Sequence, residues 1–157
     1  MQNLNDVSFK ITNKDLFKKL GLSLSPATIG SAGFDVSACI EEEITLAAGE
    51  QALIPLGFAM HINNPNWAAL LLPRSGLGAK NGIILGNTVG LIDSDYQGEV
   101  MAMLWNRKKE GSFTIEPAMR IAQIIFTPVA LPKFSIVDEF EEDTERGAGG
   151  FGSTGTK

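Results

Sequence analysis

The sequence predicts an all-β domain, and three observations carry that reading. Short β-type runs recur at intervals of about 8 to 12 residues. Gly, Pro and Asn punctuate them. Helical signals are confined to two short segments, with no alternation of long helices and strands, which excludes a doubly wound α/β fold. Such spacing suits a sandwich, barrel or jelly roll. The 157 residues match one domain, and 44% hydrophobic against 20% charged residues suffices for a buried core.

The elements follow in order. Val7–Ile11 reads as a first strand. Asn13 then caps a short helix whose Leu16, Phe17 and Leu20 share one face, and Gly21 stops it. Phe34–Ile40, Glu43–Leu46, Ala52–Pro55, Phe58–Ile62 and Ala68–Leu72 are the next apolar runs. Ser75 to Asn81 suits one helical turn ended by Gly82, and Ile83–Leu85 resumes the strand pattern. A turn at Gly86-Asn87 between apolar runs predicts a hairpin reaching to Tyr96. Glu99–Trp105, Ser112–Ile115, Ile121–Phe126 and Phe134–Val137 complete the set. From residue 138 the character changes. Asp138 to Glu145 carries six acidic residues, and glycine fills five of the twelve positions from Arg146 to Lys157. The β-rich domain is therefore placed at 1–137 and a flexible C-terminal arm at 138–157, since such a segment buries too little apolar surface to repay its ordering.

Composition excludes several functions. One cysteine (Cys39) and one histidine (His61) rule out an intramolecular disulfide and a Cys/His zinc site within one chain. No G-x-S-x-G elbow accompanies His61. A net charge of −5 argues against long nucleic acid as partner, so any phosphate must be held by a few local groups. The N-terminus has no basic stretch followed by an apolar run, and no apolar run approaches the roughly 20 residues of a membrane helix. A soluble cytoplasmic protein, with no membrane partner, is expected.

Some pattern matches carry nothing. The glycine patterns at 147–152 and 150–155 close the chain and open no helix, so they are not dinucleotide fingerprints. Gly76 to Gly82 lacks the Gly-Lys-Ser/Thr of a P-loop. The segment from Asp93 resembles a calcium loop, but its twelfth position is Leu104.

Three clusters survive. Arg74-Ser75-Gly76 pairs a guanidinium fork with a hydroxyl and open backbone, a combination suited to phosphate. Asp93, following Gly90-Leu-Ile, reads as a half-sheltered carboxylate able to orient water, and Tyr96 offers a flat face to a sugar or base. Arg120 and Gln123 stand at i and i+3, hence on opposite faces of a regular strand. They serve one ligand only if different chains share the site; otherwise one of them is structural.

In this order the clusters resemble the trimeric deoxyuridine triphosphatase (dUTPase) family. The resemblance spans five motifs: Ala32-Gly-Phe-Asp35-Val-Ser-Ala38, Pro73 to Gly82, Gly86 to Gly98, Arg120-Ile-Ala-Gln123 and Arg146 to Gly155. One departure is Ala118, where the family often carries glycine. The resemblance implies a jelly-roll-like (β-clip) subunit, a homotrimer with sites shared between subunits, and hydrolysis of dUTP to dUMP and pyrophosphate with Mg²⁺. By the same implication Asp93 positions the attacking water, Arg74, Ser75 and Gly76 bind phosphate, Gln123 contacts phosphate, and Arg120 braces an acidic neighbour or the interface. Asn87 reads uracil, and Tyr96 covers the deoxyribose. Phe151 stacks on the base, Arg146, Gly152, Ser153 and Thr154 close over the phosphates, and Asp35 touches Mg²⁺ through water only. A dCTP deaminase and a non-catalytic nucleotide-binding protein on the same scaffold are the alternatives.

Overall fold

A computed structural model describes Leu4, residues 6–142 and residues 144–150. It contains ten strands: β1 (Ser8–Ile11), β2 (Phe34–Ser37), β3 (Ile44–Ala47), β4 (Gln51–His61), β5 (Trp67–Pro73), β6 (Ile83–Leu85), β7 (Gly90–Ile92), β8 (Glu99–Asn106), β9 (Ser112–Ile115) and β10 (Arg120–Pro128). Two short helical pieces interrupt them, α1 (Lys14–Lys19) and a π-helical turn (Leu77–Asn81). Among the described residues no helix is long and apolar enough to cross a membrane.

Two four-stranded antiparallel sheets face each other, ordered β1-β4-β8-β6 and β2-β10-β5-β7, with a separate β3-β9 ribbon. Inward side chains from both sheets form the core, including Val36, Ile54, Phe58, Leu71, Leu104 and Ile124, each at most 3% exposed. Asn106 is the one buried polar residue among those described. It donates through Nδ2 to the Leu46 carbonyl and accepts from the Lys108 amide, so its burial leaves neither end unpaired.

Local signals hold where they rest on neighbouring residues. Asn13 caps α1, its Oδ1 accepting from the Leu16 amide at 3.1 Å, and Gly21 follows with φ 63°. The π-helical turn ends at Gly82, φ 70°.

Long-range pairing changes three readings. The runs 52–55 and 58–62 are one strand, β4, broken by a bulge: Pro55 faces Met101 and Ala59 faces Glu99, four residues stepping past two. Gly57 sits in that bulge at φ 79°, and a Cβ there would lie 2.5 Å from Cys39 Sγ. The displaced carbonyls of Pro55 and Gly57 accept from the amides of Cys39 and Thr12. Second, the predicted 87–96 hairpin is a corner between sheets: β6 pairs with β8, whereas β7 pairs with β5. Third, Phe134–Val137 forms no strand. The last strand among the described residues ends at Pro128, and Phe134 and Ile136 stand 91% and 101% exposed because none of the described strands pairs with them.

At the turn before β10, Ala118 occupies a left-handed conformation, φ 61°, that costs a non-glycine residue roughly 1 kcal/mol or more. Two substitutions are accordingly expected to act with opposite sign. Ala118→Gly should raise stability by about 0.5 kcal/mol or more, and Gly57→Ala should lower it by about 2 kcal/mol, through both strain and overlap with Cys39. Denaturant titration checks both, and equal midpoints for the two variants would contradict the strain argument.

Candidate active site

The first, second and fourth motifs converge at one end of the second sheet. Asp35 lies on β2, Arg74 directly follows β5, and Arg120 opens β10, the strand between those two. The Asp35 carboxylate is taken by both guanidinium groups. Arg74 donates from Nε to Oδ1 at 3.0 Å and from Nη2 to Oδ2 at 3.5 Å, and Arg120 Nη1 donates to Oδ2 at 2.9 Å. A further bond from Arg74 Nη1 to the Arg120 carbonyl, 3.1 Å, fixes the plane of the fork. These two ion pairs are the salt bridges found among the described residues.

Arg120 and Gln123 both approach Asp35 within a single chain, contrary to the parity of a regular strand. A register shift between Arg120 and Ala122 explains it: Arg120 faces Ser37, Ala122 faces Val36, and Gln123 faces Asp35. Ile121 and Ala122 are consecutive yet both buried, the signature of a bulge. Their spacing therefore does not itself require a second chain. Gln123 donates from Nε2 to the Pro73 carbonyl at 3.0 Å and so braces the backbone entering Arg74.

A cavity of about 310 Å³ opens here, lined by Asp35, Arg74, Ser75, Gly76, Leu77, Lys80, Asn81 and Gln123. A second polar cavity, about 350 Å³, lies on the other side of Asp35 and includes Ser23, Ser25, Ser37 and Arg120. Lys80 was not singled out by motif reasoning. Both arginines are committed to Asp35, so Lys80 is the cation of the cavity without an ion pair among the described residues. Its position within the Gly76–Gly82 run was the available signal, since a lysine set among glycines beside an Arg-Ser pair points to anion binding.

Third-motif residues lie elsewhere. β7 runs antiparallel to β5 with Gly90 opposite Leu71 and Ile92 opposite Ala69. Asp93 thus falls one residue beyond the Trp67 end of that pairing, while Arg74 follows the opposite end of β5. At about 3.3 Å per residue the two are roughly 20 Å apart along the strand. Asp93 is exposed, not half-sheltered, because β7 is an edge strand and ends at Ile92. Tyr96, 44% exposed, donates from its hydroxyl to the Glu99 carbonyl. The Asn87 carbonyl accepts from Val89 N and Thr88 Oγ1 in the corner before β7. Arg146 donates from Nε to the Gly149 carbonyl of its own loop at 2.9 Å. Phe151, Gly152, Ser153 and Thr154 lie outside the described residues.

Other groups contribute little to this chemistry. Burial, and secondarily the negative charge of Glu99, push the Cys39 thiol up, so it keeps its proton at neutral pH and offers no thiolate. No group of three or more His, Cys, Asp or Glu able to hold a metal occurs among the described residues. A cavity of about 520 Å³ between the sheets is lined by Phe9, Phe17, Phe34, Phe58 and Phe126, a lining that gives phosphate no partner.

Comparison with known proteins points to one family. The family model described as dUTPase matches residues 22–155. The chain is 58% identical over 147 residues to the deoxyuridine 5'-triphosphate nucleotidohydrolase of Hahella chejuensis, covering 92% of this chain and 95% of that one. It is 51% identical over 150 residues to the protein of the same name from Psychrobacter cryohalolentis, covering 95% and 97%. Among solved structures, the Staphylococcus bacteriophage 80alpha dUTPase with dUpNHpp aligns at a TM-score of 0.83 and 27% identity, over 96% of this chain and 99% of that chain. With its first four motifs on these elements and a family match across most of its length, the chain belongs to the dUTPase family.

Proposed function

We propose that the protein hydrolyses dUTP to dUMP and pyrophosphate, water attacking the α-phosphorus in line with the departing pyrophosphate. The reaction removes dUTP from DNA precursors and supplies dUMP for thymidylate synthesis. The observation that carries this is the cationic cavity at the end of β5: Arg74, Ser75, Gly76 and Lys80 around a carboxylate already neutralised by two arginines. Fixed donors of this kind stabilise charge that develops on phosphate oxygens as the bond breaks.

The roles follow from chemistry. Arg74, Ser75, Gly76 and Gln123 bind the phosphate chain, with Lys80 beside them. Arg120 holds Asp35 in place. Asp93 orients and polarises the attacking water; a carboxylate is a weak base at neutral pH, so orientation outweighs basicity. Asn87 and the neighbouring backbone read uracil, and Tyr96 covers the deoxyribose and rejects a 2′-hydroxyl. Arg146, Phe151, Gly152, Ser153 and Thr154 close the arm over the nucleotide and exclude water. The cavity offers Mg²⁺ a single carboxylate, itself shared with two arginines, so the ion would be held mainly by the triphosphate and water, with Asp35 reaching it through water only. When bound, it neutralises charge on the triphosphate.

The distance of roughly 20 Å between Asp93 and Arg74 within one chain supports a site completed by another subunit. A homotrimer supplies this. An apolar outward face on the first sheet suits subunit contact: Leu53 and Met103 are cross-strand partners, 52% and 39% exposed. The setting is the cytoplasm, with no nucleic-acid or membrane partner.

Purified protein with Mg²⁺ is expected to release pyrophosphate from dUTP and at most traces from dTTP, dCTP or UTP; equal turnover of the four would refute the specificity reading. Asp93→Asn should retain nucleotide binding yet lose roughly 10²-fold or more in kcat. Full turnover by that variant would move the water-orienting role to another group. Removing residues 144–157 should leave a folded trimer, measured by sedimentation, with poor catalysis; a chain that unfolds would make the arm structural.

A further inference from the structure

We infer that Gly98 is a positioning residue for Tyr96, its missing side chain forming the floor on which the phenol ring lies. The inference rests on the reading of Tyr96 as the group facing the deoxyribose. A Cβ built at Gly98 would stand 2.6 Å from Tyr96 Cζ and 3.0 Å from Cε2, and would also overlap Oη. No left-handed backbone angle calls for glycine at this position, so the requirement is for space alone.

The ring is held across its own loop. The Tyr96 amide donates to the Asp93 carbonyl at 3.3 Å, closing the turn that carries the water-orienting aspartate. The Tyr96 hydroxyl donates to the Glu99 carbonyl at 3.0 Å. Glu99 is itself anchored: it opens β8 opposite Ala59, and its carboxylate accepts from Thr12 Oγ1 at 2.7 Å. One side of the ring thus lies against the loop backbone at Gly98 while the side chain remains 44% exposed. The orientation of the exposed face follows from a glycine and a carbonyl two and three residues downstream.

A methyl group at position 98 would require the ring to retreat by about 1 Å to regain ordinary contact. The atoms that must yield are the far end of a side chain with two torsions, not backbone, so the β8 ladder survives the change. What alters is the clearance over the sugar, which is where one added hydroxyl is accepted or refused.

Tyr96 is the only tyrosine, so its position can be followed without substrate. In protein labelled with ¹³Cζ-tyrosine, Gly98→Ala should shift the single resonance while the melting temperature stays within a few degrees of the parent. In steady-state kinetics, Gly98→Ala should raise the ratio of UTP to dUTP kcat/KM by about tenfold, towards that of Tyr96→Ala. Tyr96→Phe, which keeps the ring and loses the anchor, should fall between. An unmoved resonance and a parental ratio in Gly98→Ala, with Tyr96→Ala relaxed, would overturn the positioning role alone. A parental ratio in Tyr96→Ala would overturn it together with the sugar-facing role of Tyr96. Should Gly98→Ala unfold, the proposal fails, since it requires the ring and not the backbone to yield.

Discussion

The Asp35 carboxylate on β2 accepts from two guanidinium groups, Arg74 beyond the end of β5 and Arg120 at the start of β10. Three segments distant in sequence are tied there by one partly buried anion, whose attraction to its partners exceeds what it would be in water. The bond from Arg74 to the Arg120 carbonyl and the brace from Gln123 to Pro73 complete the clamp. Ser75, Gly76 and Lys80 are presented from this platform. Arg74, Arg120 and Lys80 set three cations against one carboxylate, so a chain of net charge −5 concentrates positive potential around Asp35, across the two cavities that meet there.

The second constraint is the register of β5. It is flanked by β10 on one side and β7 on the other, and its two ends carry different chemistry. Phosphate-type groups gather beyond Pro73, whereas Asp93 and Tyr96 lie past the Trp67 end. A rigid strand cannot bring its own ends together, so within one chain these two groups stay apart.

Irregular backbone does much of the positioning. The bulge between Arg120 and Ala122 turns two side chains towards one carboxylate, and the bulge around Gly57 redirects carbonyls to Cys39 and Thr12. Ala118 tolerates a left-handed angle immediately before β10 because its amide donates to the Ala38 carbonyl, and that of Met119 to Glu116, which hold the turn. Gly98 belongs with these: a position whose importance lies in the atoms it lacks.

Features set by adjacent residues were legible in the sequence. The cap at Asn13, the helical turn ended by Gly82 and the strands 83–85 and 112–115 depend on local hydrogen bonds and local propensity, and they stand where the sequence puts them. The five motifs, their order and the family were legible too, because each motif is a contiguous string. Tertiary structure alone decided that β7 leaves β6 to pair with β5, that Phe134–Val137 finds no strand partner, that Asp93 is exposed, and that Lys80 lines the cavity. All of these turn on which distant strand supplies the hydrogen bonds or the cover. Period-two alternation says which side of a strand faces inward, but it carries no information on the neighbour, and a single bulge reverses the face.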